Sequence, residues 1–445
     1  MEFDLSRDSA HIAQAWNEII FDRENNNFST FNLCGPKGCG KTKAALELAR
    51  SNARVFYISF LNLPYEKAVE SFVSTYIPEK PDIKSISDAV DAFMKKHFNK
   101  HILIIFENES GKVMVECEDC FYNYTNKKRT LVLCFIGDED ISFVENAVSM
   151  GYRSIAEFIR EFPNYDKYDA IRLHALTGGM MGVAKELDQN ISYEDNLQKL
   201  LEPDSAFSTC LPTLFNKCFR TPESYYPILK SISDGHHRLS EIAKDINFPN
   251  NKCLKYLEAL IKNGFVVPEK NERNTQSTYH LKNTYYMAWC KYIYGQTMSQ
   301  VSAKDSLVQF VKDSIDEYIT LPDFHKACLR FMENANKRYN IEYRFSEFTK
   351  IRKAIPIKLR NGKTIVIDCC IDTNEISYNL IFPHSLEMRY GRREVEEIYR
   401  ALERIDRKYY AHTVIFSFNR FSDWCTHKSA HNDWFHIVSA ERLKY

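Results

Sequence analysis

No stretch of the 445-residue chain reaches the roughly 18 consecutive apolar residues that a membrane-spanning helix needs. The opening MEFDLSRDSA lacks the basic and apolar segments of a signal peptide, which sets the expectation of a cytoplasmic protein. An excess of either charge is missing too: 59 Lys+Arg balance 59 Asp+Glu. No global field therefore draws the chain to nucleic acid or an anionic membrane, and any such binding must come from a local patch. With only 14 Gly and 14 Pro there is no collagen-like repeat and no long flexible linker, so closely joined domains are expected. Thirteen cysteines, scattered from Cys34 to Cys425, form an odd set that does not suit a secreted disulfide framework and fits reduced thiols.

What is present is an ordinary globular composition, 44% hydrophobic and 27% charged, on a chain long enough for several domains. Four near-continuous apolar runs stand out: FSTFNLCG (28–35), ARVFYISF (53–60), HILIIFE (101–107) and TLVLCFIG (130–137). Amphipathic segments separate them, the pattern of a parallel sheet covered by helices on both faces. The fold class expected is α/β. From about Tyr152 helical periodicity takes over through SIAEFIREF, YDAIRLHAL and MGVAKELDQN, broken at Gly178 and Gly179. After Pro222, three short helical patterns, a stop at Gly264 and two strand-like runs fit a winged helix-turn-helix. The remainder mixes helices with strand-like runs, YRFSEF, TIVIDCCID, SYNLIF and AHTVIFSF, and reads as a separate α/β domain.

The sharpest motif lies between the first strand and a helical pattern. Gly35-Pro36-Lys37-Gly38-Cys39-Gly40-Lys41-Thr42 satisfies G-x-x-x-x-G-K-[ST] at every fixed position. Glycines let backbone N–H groups curl around phosphates, and the helix N-terminus adds a favourable dipole. Lys41 is the point charge for the β- and γ-phosphates, and the Thr42 hydroxyl is the candidate Mg²⁺ ligand. The chemistry also needs an acid at a strand end, and HILIIFENES offers Glu107 and Glu109. Glu107 is the candidate, as catalytic carboxylate beside Lys41 and as metal-holding group beside Thr42. Such strands typically end in Asp-Glu, whereas here the pair reads Phe106-Glu107 or Glu107-Asn108. Without that Asp, nucleotide binding is better founded than hydrolysis. The strand TLVLCFIG, expected between the loop strand and the acidic strand, ends in Gly137-Asp138 rather than a polar residue that could sense the γ-phosphate.

With these pieces in order the chain resembles the prokaryotic archaeal-type ATPase family, a branch of the AAA-related and STAND-like P-loop NTPases. The resemblance covers most of the sequence and rests on FDLSRD (3–8), GPKGCGKT, HILIIFE, LTGG (176–179), and the winged-helix pattern followed by YHLKNTYYMAW. It implies that Arg7 lies near the base or ribose and that the LTGG helix closes over the nucleotide. Where the family places a proline soon after LTGG, this chain has Met180-Met181. The implied layout is a P-loop ATPase core over 1–150, a helical lid over 151–220, a winged helix-turn-helix over 221–300, and a nuclease-like α/β domain over 301–445. That last domain resembles PD-(D/E)xK nucleases, with Asp368 as a strand-end aspartate. SYNLIF carries no E-x-K, however, and Phe324-His325 stands where Phe-Glu is expected, so the domain is read as inactive.

Other candidates have plainer readings. Lys252, Lys255 and Lys262, with Lys270 and Arg273 in the wing, could meet DNA, but Pro222–Thr284 carries nine Lys+Arg against seven Asp+Glu. A scaffold or protein contact is the simpler role. Cys117-x-x-Cys120 has no second pair at zinc spacing. Cys39 could be a redox-sensitive thiol in the loop or simply a small tolerated side chain, and His236-His237 read as turn residues. The expected function is an ATP-binding P-loop NTPase, a slow Mg²⁺-dependent ATPase acting as a nucleotide-driven switch. A protein partner or self-association could complete its site, as in related ATPases. The rival is a DNA-binding winged-helix regulator in which nucleotide is structural.

Overall fold

The protein is described from a computed structural model covering residues 28–49, 54–60, 63–80, 82–96, 102–107, 131–137, 146–270, 277–294, 304–337, 348–358, 364–373, 377–405, 411–432 and 434–443. Arg7, Asn108, Glu109, Cys117, Cys120, Asp138 and Arg273 lie outside the described residues.

Strand β1 (Phe28–Cys34) leads through the glycine loop into helix α1 (Lys41–Ala49). Strand β2 (Arg54–Ser59), helices α2 (Tyr65–Tyr76) and α3 (Ile86–Lys96), and strands β3 (Ile102–Glu107), β4 (Leu131–Gly137) and β5 (Asn146–Ser149) follow. The five strands form one parallel sheet in the order β2-β3-β4-β1-β5. Ile102 to Phe106 are all buried, which is why this strand reads as an unbroken apolar run rather than an alternating one. Phe72 of α2 and Phe93 of α3 pack with Phe56, Ile104 and Phe106 in one cluster, each fully buried side chain contributing roughly 1.5–3 kcal/mol. Because the strands are parallel, their carboxyl ends share one edge: Cys34 pairs with Gly137, Ser59 with Glu107, and Glu107 with Ile136. Open α/β sheets place ligands at that edge. The strand expected between β1 and β3 is there, as β4.

Next come α4 (Ile155–Glu161), α5 (Lys167–Thr177), α6 (Met181–Ala184), α7 (Tyr193–Leu200) and α8 (Ala206–Cys218). The periodicity of MGVAKELDQN yields only the four-residue α6. The chain turns soon after, where the Asp188 carboxylate accepts the Asn190 backbone N–H at 2.9 Å. Three helices, α9 (Tyr226–Ser233), α10 (Leu239–Asp245) and α11 (Asn250–Lys262), are followed by an antiparallel hairpin of β6 (Val266–Lys270) and β7 (Ser277–Leu281). Gly264, at φ 73°, ends α11.

The last part holds α12 (Thr284–Trp289), α13 (Lys304–Ile315) and α14 (Leu321–Lys337), then strands β8 (Phe348–Lys358), β9 (Thr364–Thr373) and β10 (Ser377–Ile381). Helix α15 (Arg392–Ile405), β11 (Ala411–Ser417), α16 (Asp423–Ala430) and β12 (Phe435–Ser439) complete it. Its five-stranded sheet has the order β12-β11-β10-β9-β8, with an antiparallel meander β8-β9-β10 and parallel β10-β11-β12. Of the run YRFSEF only Phe348 is described; it opens a strand reaching Lys358.

By packing, the chain divides into two compact units, each discontinuous in sequence. One comprises 1–152, 180–186 and 203–282; the other comprises 153–179, 187–202 and 283–445. The second is organised around a buried polar knot. His174 Nδ1 meets Asp323 Oδ2 at 2.6 Å, His174 Nε2 meets the Arg153 carbonyl at 2.8 Å, and the Thr284 hydroxyl donates to Asp323 Oδ1 at 3.0 Å. Burial alone would raise the Asp323 carboxyl, but the charge and hydrogen bond of His174, aided by Arg330 and Thr284, outweigh it and hold the group below its ordinary value.

Candidate functional site

The glycine loop is built from backbone that only glycine adopts comfortably. Gly35, Gly38 and Gly40 have φ of 146°, 83° and 101°. A side chain at Gly35 would run into the Met150 carbonyl, and one at Gly38 into the end of the Met180 side chain. The loop is braced from outside: the Gly182 N–H donates to the Gly38 carbonyl at 3.1 Å, and the Tyr152 hydroxyl donates to the Lys37 carbonyl at 3.1 Å. Its root is fixed by the Gly35 N–H on the Gly137 carbonyl at 3.2 Å and the Met150 N–H on the Cys34 carbonyl at 2.8 Å. Met180 thus occupies loop-facing space just after LTGG, where the family resemblance implies a nearby proline.

Lys41 is buried, and its ammonium donates to the carbonyls of Gly35 and, at 3.0 Å, Pro36. Thr42 donates through Oγ1 to Glu107 Oε1 at 3.0 Å. The expected cation, hydroxyl and carboxylate therefore converge at the carboxyl edge of the parallel sheet. Sequence reasoning missed what holds the carboxylate. Tyr57 and Ser59, on neighbouring β2, both donate to Glu107 Oε2, Ser59 at 3.0 Å. Burial, then the hydrogen bond to Glu107, push the Tyr57 phenol well above its ordinary value, so it stays a donor. One oxygen of Glu107 is thus anchored and the other faces Thr42. The sequence did hold a signal: Tyr57 and Ser59 lie two apart on a strand, hence on one face.

These groups open into a cleft of about 220 Å³ whose lining includes Lys37, Lys41, Thr42, Lys43, Glu107 and Gly137. Helix α8 supplies a further wall through Leu214, Lys217 and Cys218, at i, i+3, i+4 spacing. Glu107 is the one acid among the described lining residues. Gly137 contributes backbone alone. Cys39 is buried at 1% exposure and does not line the cleft.

The other sequence-derived candidates are placed differently. Asp368 lies in the middle of β9, not at a strand end. Its Oδ2 accepts the Phe382 N–H at 2.7 Å and its Oδ1 meets His384 Nε2 at 3.0 Å. Burial pushes this carboxyl up, against the pull of Phe382, His384 and His325. His325 spends Nε2 on the Pro383 carbonyl at 2.9 Å. Among the described residues no group of three or more His, Cys, Asp and Glu side chains is placed to hold a metal. On α11, Lys252 lies 4.0 Å over the Phe248 ring, while Lys255 and Lys262 are exposed. His237 Nδ1 meets the Tyr279 carbonyl at 3.1 Å, and its ring stacks on His280. Among the described residues no helix is long and apolar enough to cross a membrane.

No family model matches the chain. A protein of Methanocaldococcus jannaschii described as uncharacterized is 21% identical over 349 residues, which are 72% of this chain and 76% of that protein. Among solved structures, the crystal structure of Cdc6p from Pyrobaculum aerophilum aligns over 67% of this chain and 93% of that one, at 11% identity and a TM-score of 0.32. The functional reading therefore rests on the geometry of the loop and its carboxylate.

Proposed function

We propose that the protein is an ATP-binding P-loop NTPase, a slow Mg²⁺-dependent ATPase that works as a nucleotide-driven switch. The observation that carries this reading is the placement of Thr42 Oγ1 against Glu107 Oε1, beside a loop whose three glycines all take positive φ and whose lysine is Lys41. Three further lysines border the cleft against a single described acid, which suits a polyanion. The choice of adenine follows the family resemblance and the lack of an N-K-x-D guanine-reading motif.

The donor set, a hydroxyl and a carboxylate, fits a hard cation such as Mg²⁺. Thr42 and Glu107 would hold that ion, which would supply positive charge to offset the charge developing on the phosphates. The chain's own part is positional. Backbone N–H groups and the N-terminus of α1 hold the phosphates, Lys41 exchanges carbonyl partners for phosphate oxygens, and Tyr57 with Ser59 fix the direction of Glu107. Glu107 is then the group that orients the attacking water. One carboxylate serving both the metal's water shell and the attacking water makes slow turnover the expectation.

The winged helix-turn-helix reading of α9 to α11 with the β6-β7 hairpin belongs to the same proposal, as a scaffold that responds to nucleotide. Arg7 keeps its proposed place near base or ribose. The test is equilibrium binding of ATP with Mg²⁺. Lys41→Ala should weaken it on the order of 100-fold, since hydrogen bonds between charged groups contribute about 1.5–3 kcal/mol each. Unchanged affinity would sink the proposal. Salt-sensitive duplex binding lost in the Lys252→Ala/Lys255→Ala double variant would instead favour the DNA-binding rival.

A further inference from the structure

We propose that a second copy of this chain docks on an aromatic patch formed by α13 and two wide helical turns beside it, giving a two-fold dimer. The inference does not depend on nucleotide, and the patch lies wholly within the second compact unit. Of the six large apolar side chains exposed among the described residues, three belong to it: Tyr294, Phe310 and Tyr318. Lys291 ties them together. Its ammonium lies 4.0 Å from the centre of the Tyr318 ring and 6.0 Å from that of Phe310, and Tyr294 follows it in the same turn, stacked on Trp289 at 5.7 Å.

A plainer reading covers part of this. Single exposed aromatic residues are ordinary on a protein surface, and the contact with Lys291 is a local reason for Tyr318. It does not explain why the rings are grouped, or the backbone that presents them. Cys290–Tyr294 and Asp316–Thr320 are both wound as π-helix, and after the second the Leu321 N–H reaches back to the Asp316 carbonyl. Such turns are rare and gather at functional positions. In the second turn Ile319 and Thr320 are buried while Glu317 and Tyr318 are exposed, so the wide winding fills the core and still turns a ring and a carboxylate to water.

The charges around the rings decide the occupant. Phe310, Asp313 and Glu317 recur at the spacing of one helix face. Both acids are exposed; Asp313 accepts from Gln309 at 2.6 Å, and Glu317 has no hydrogen-bond or ion-pair partner among the described residues. The patch therefore carries a cation and two carboxylates. Nucleic acid would be repelled by the carboxylates, and a partner of one sign would always meet a like charge. A copy of the same surface avoids that conflict, because in a two-fold contact what residue i offers to j, j offers to i. Lys291 of one copy then faces the partner's Glu317, and the rings lose water between the two pairs. An ammonium carries several N–H donors, so its place over Tyr318 leaves Lys291 able to bond a carboxylate.

The test is sedimentation of the full-length protein over a range of concentrations, with the unfolding midpoint of each variant as the check on folding. Wild type should show a monomer–dimer equilibrium. Tyr318→Ala and Phe310→Ala should each weaken it about tenfold, as loss of an aromatic anchor does. Trp434→Ala, which removes an exposed ring beside His412, should leave it unchanged. Lys291→Glu and Glu317→Lys should each weaken dimerisation about fivefold, and the double variant should return to within about twofold of wild type, because the swap restores the pairing across the axis. If Lys291→Glu unfolds, the pair is read from Lys291→Ala and Glu317→Ala, whose combined loss should not exceed either alone. A wild type still monomeric at about 100 μM overturns the proposal. So does a dimer untouched by the ring or charge variants, an equal loss in Trp434→Ala, or a swap that fails to recover what its single variants lose.

Discussion

The two five-stranded sheets each carry a carboxylate singled out by sequence, and they use it differently. On the parallel sheet, Glu107 gives Oε2 to Tyr57 and Ser59 and turns Oε1 to Thr42. On the second sheet, Asp368 gives one oxygen to a backbone N–H and the other to His384. Asp323, in the knot with His174 and Thr284, is likewise used up on both oxygens. All three have partners on both oxygens; Glu107 differs in that its Oε1 partner is the Thr42 hydroxyl of the glycine loop, which a bound cation could share, whereas Asp368 and Asp323 are spent on groups of their own packing and are structural joints. The acid alone does not mark a site, because the identity of its partners decides its role.

This contrast can be broken by substitution. The largest effect should come from Glu107→Gln, with ATP turnover falling about 10²- to 10⁴-fold, the usual contribution of a positioned acid–base group, while ATP affinity and unfolding midpoint change little. A variant that unfolds readily instead would place Glu107 with the joints. Asp323→Asn should do the reverse, lowering stability by about 3 kcal/mol in urea titration, as losing buried hydrogen bonds to a charged group does, with nucleotide affinity kept. Because the native Asp323 carboxyl lies below its ordinary value, its stabilising contribution is complete above the unfolded carboxylate range near 3.8 and is lost as pH falls through the native value. The variant's stability should thus depend less on pH below about 4 than the wild type's. Tyr57→Phe should slow turnover about tenfold by releasing Glu107 from one anchor, with ATP binding intact; Ser59 remains as the second anchor. The smallest effect is expected for Asp368→Asn, about 1 kcal/mol of stability for a weakened hydrogen-bonded pair and no change in ATP turnover.

Strands β3 and β4 were legible because burial of their described side chains on both faces writes an apolar run into the sequence, and β3 spans Ile102–Glu107 within the run read as 101–107. Strand β5, with four residues, was too short to stand out. The loop was legible because each fixed position answers a local backbone need. Glu107 was found from its strand end, but its Tyr57 and Ser59 clamp depends on strand pairing, which sequence spacing does not encode. The same holds for Asp368, read as a strand end and found mid-strand, since β9 continues to Thr373. Lys217 was invisible for a further reason: it reaches the cleft from a helix some 175 residues beyond the loop lysine, and nothing local to α8 announces that.

Cys39 gives the loop a built-in clock. Its side chain is buried at 1% exposure in a loop whose backbone is pinned by Gly182 and Tyr152. A thiol-specific reagent can reach it only when that bracing lets go, so its labelling rate counts openings of the cradle. A bound nucleotide that steadies the loop should lengthen the interval between those openings. That interval would report occupancy without any catalysis being observed.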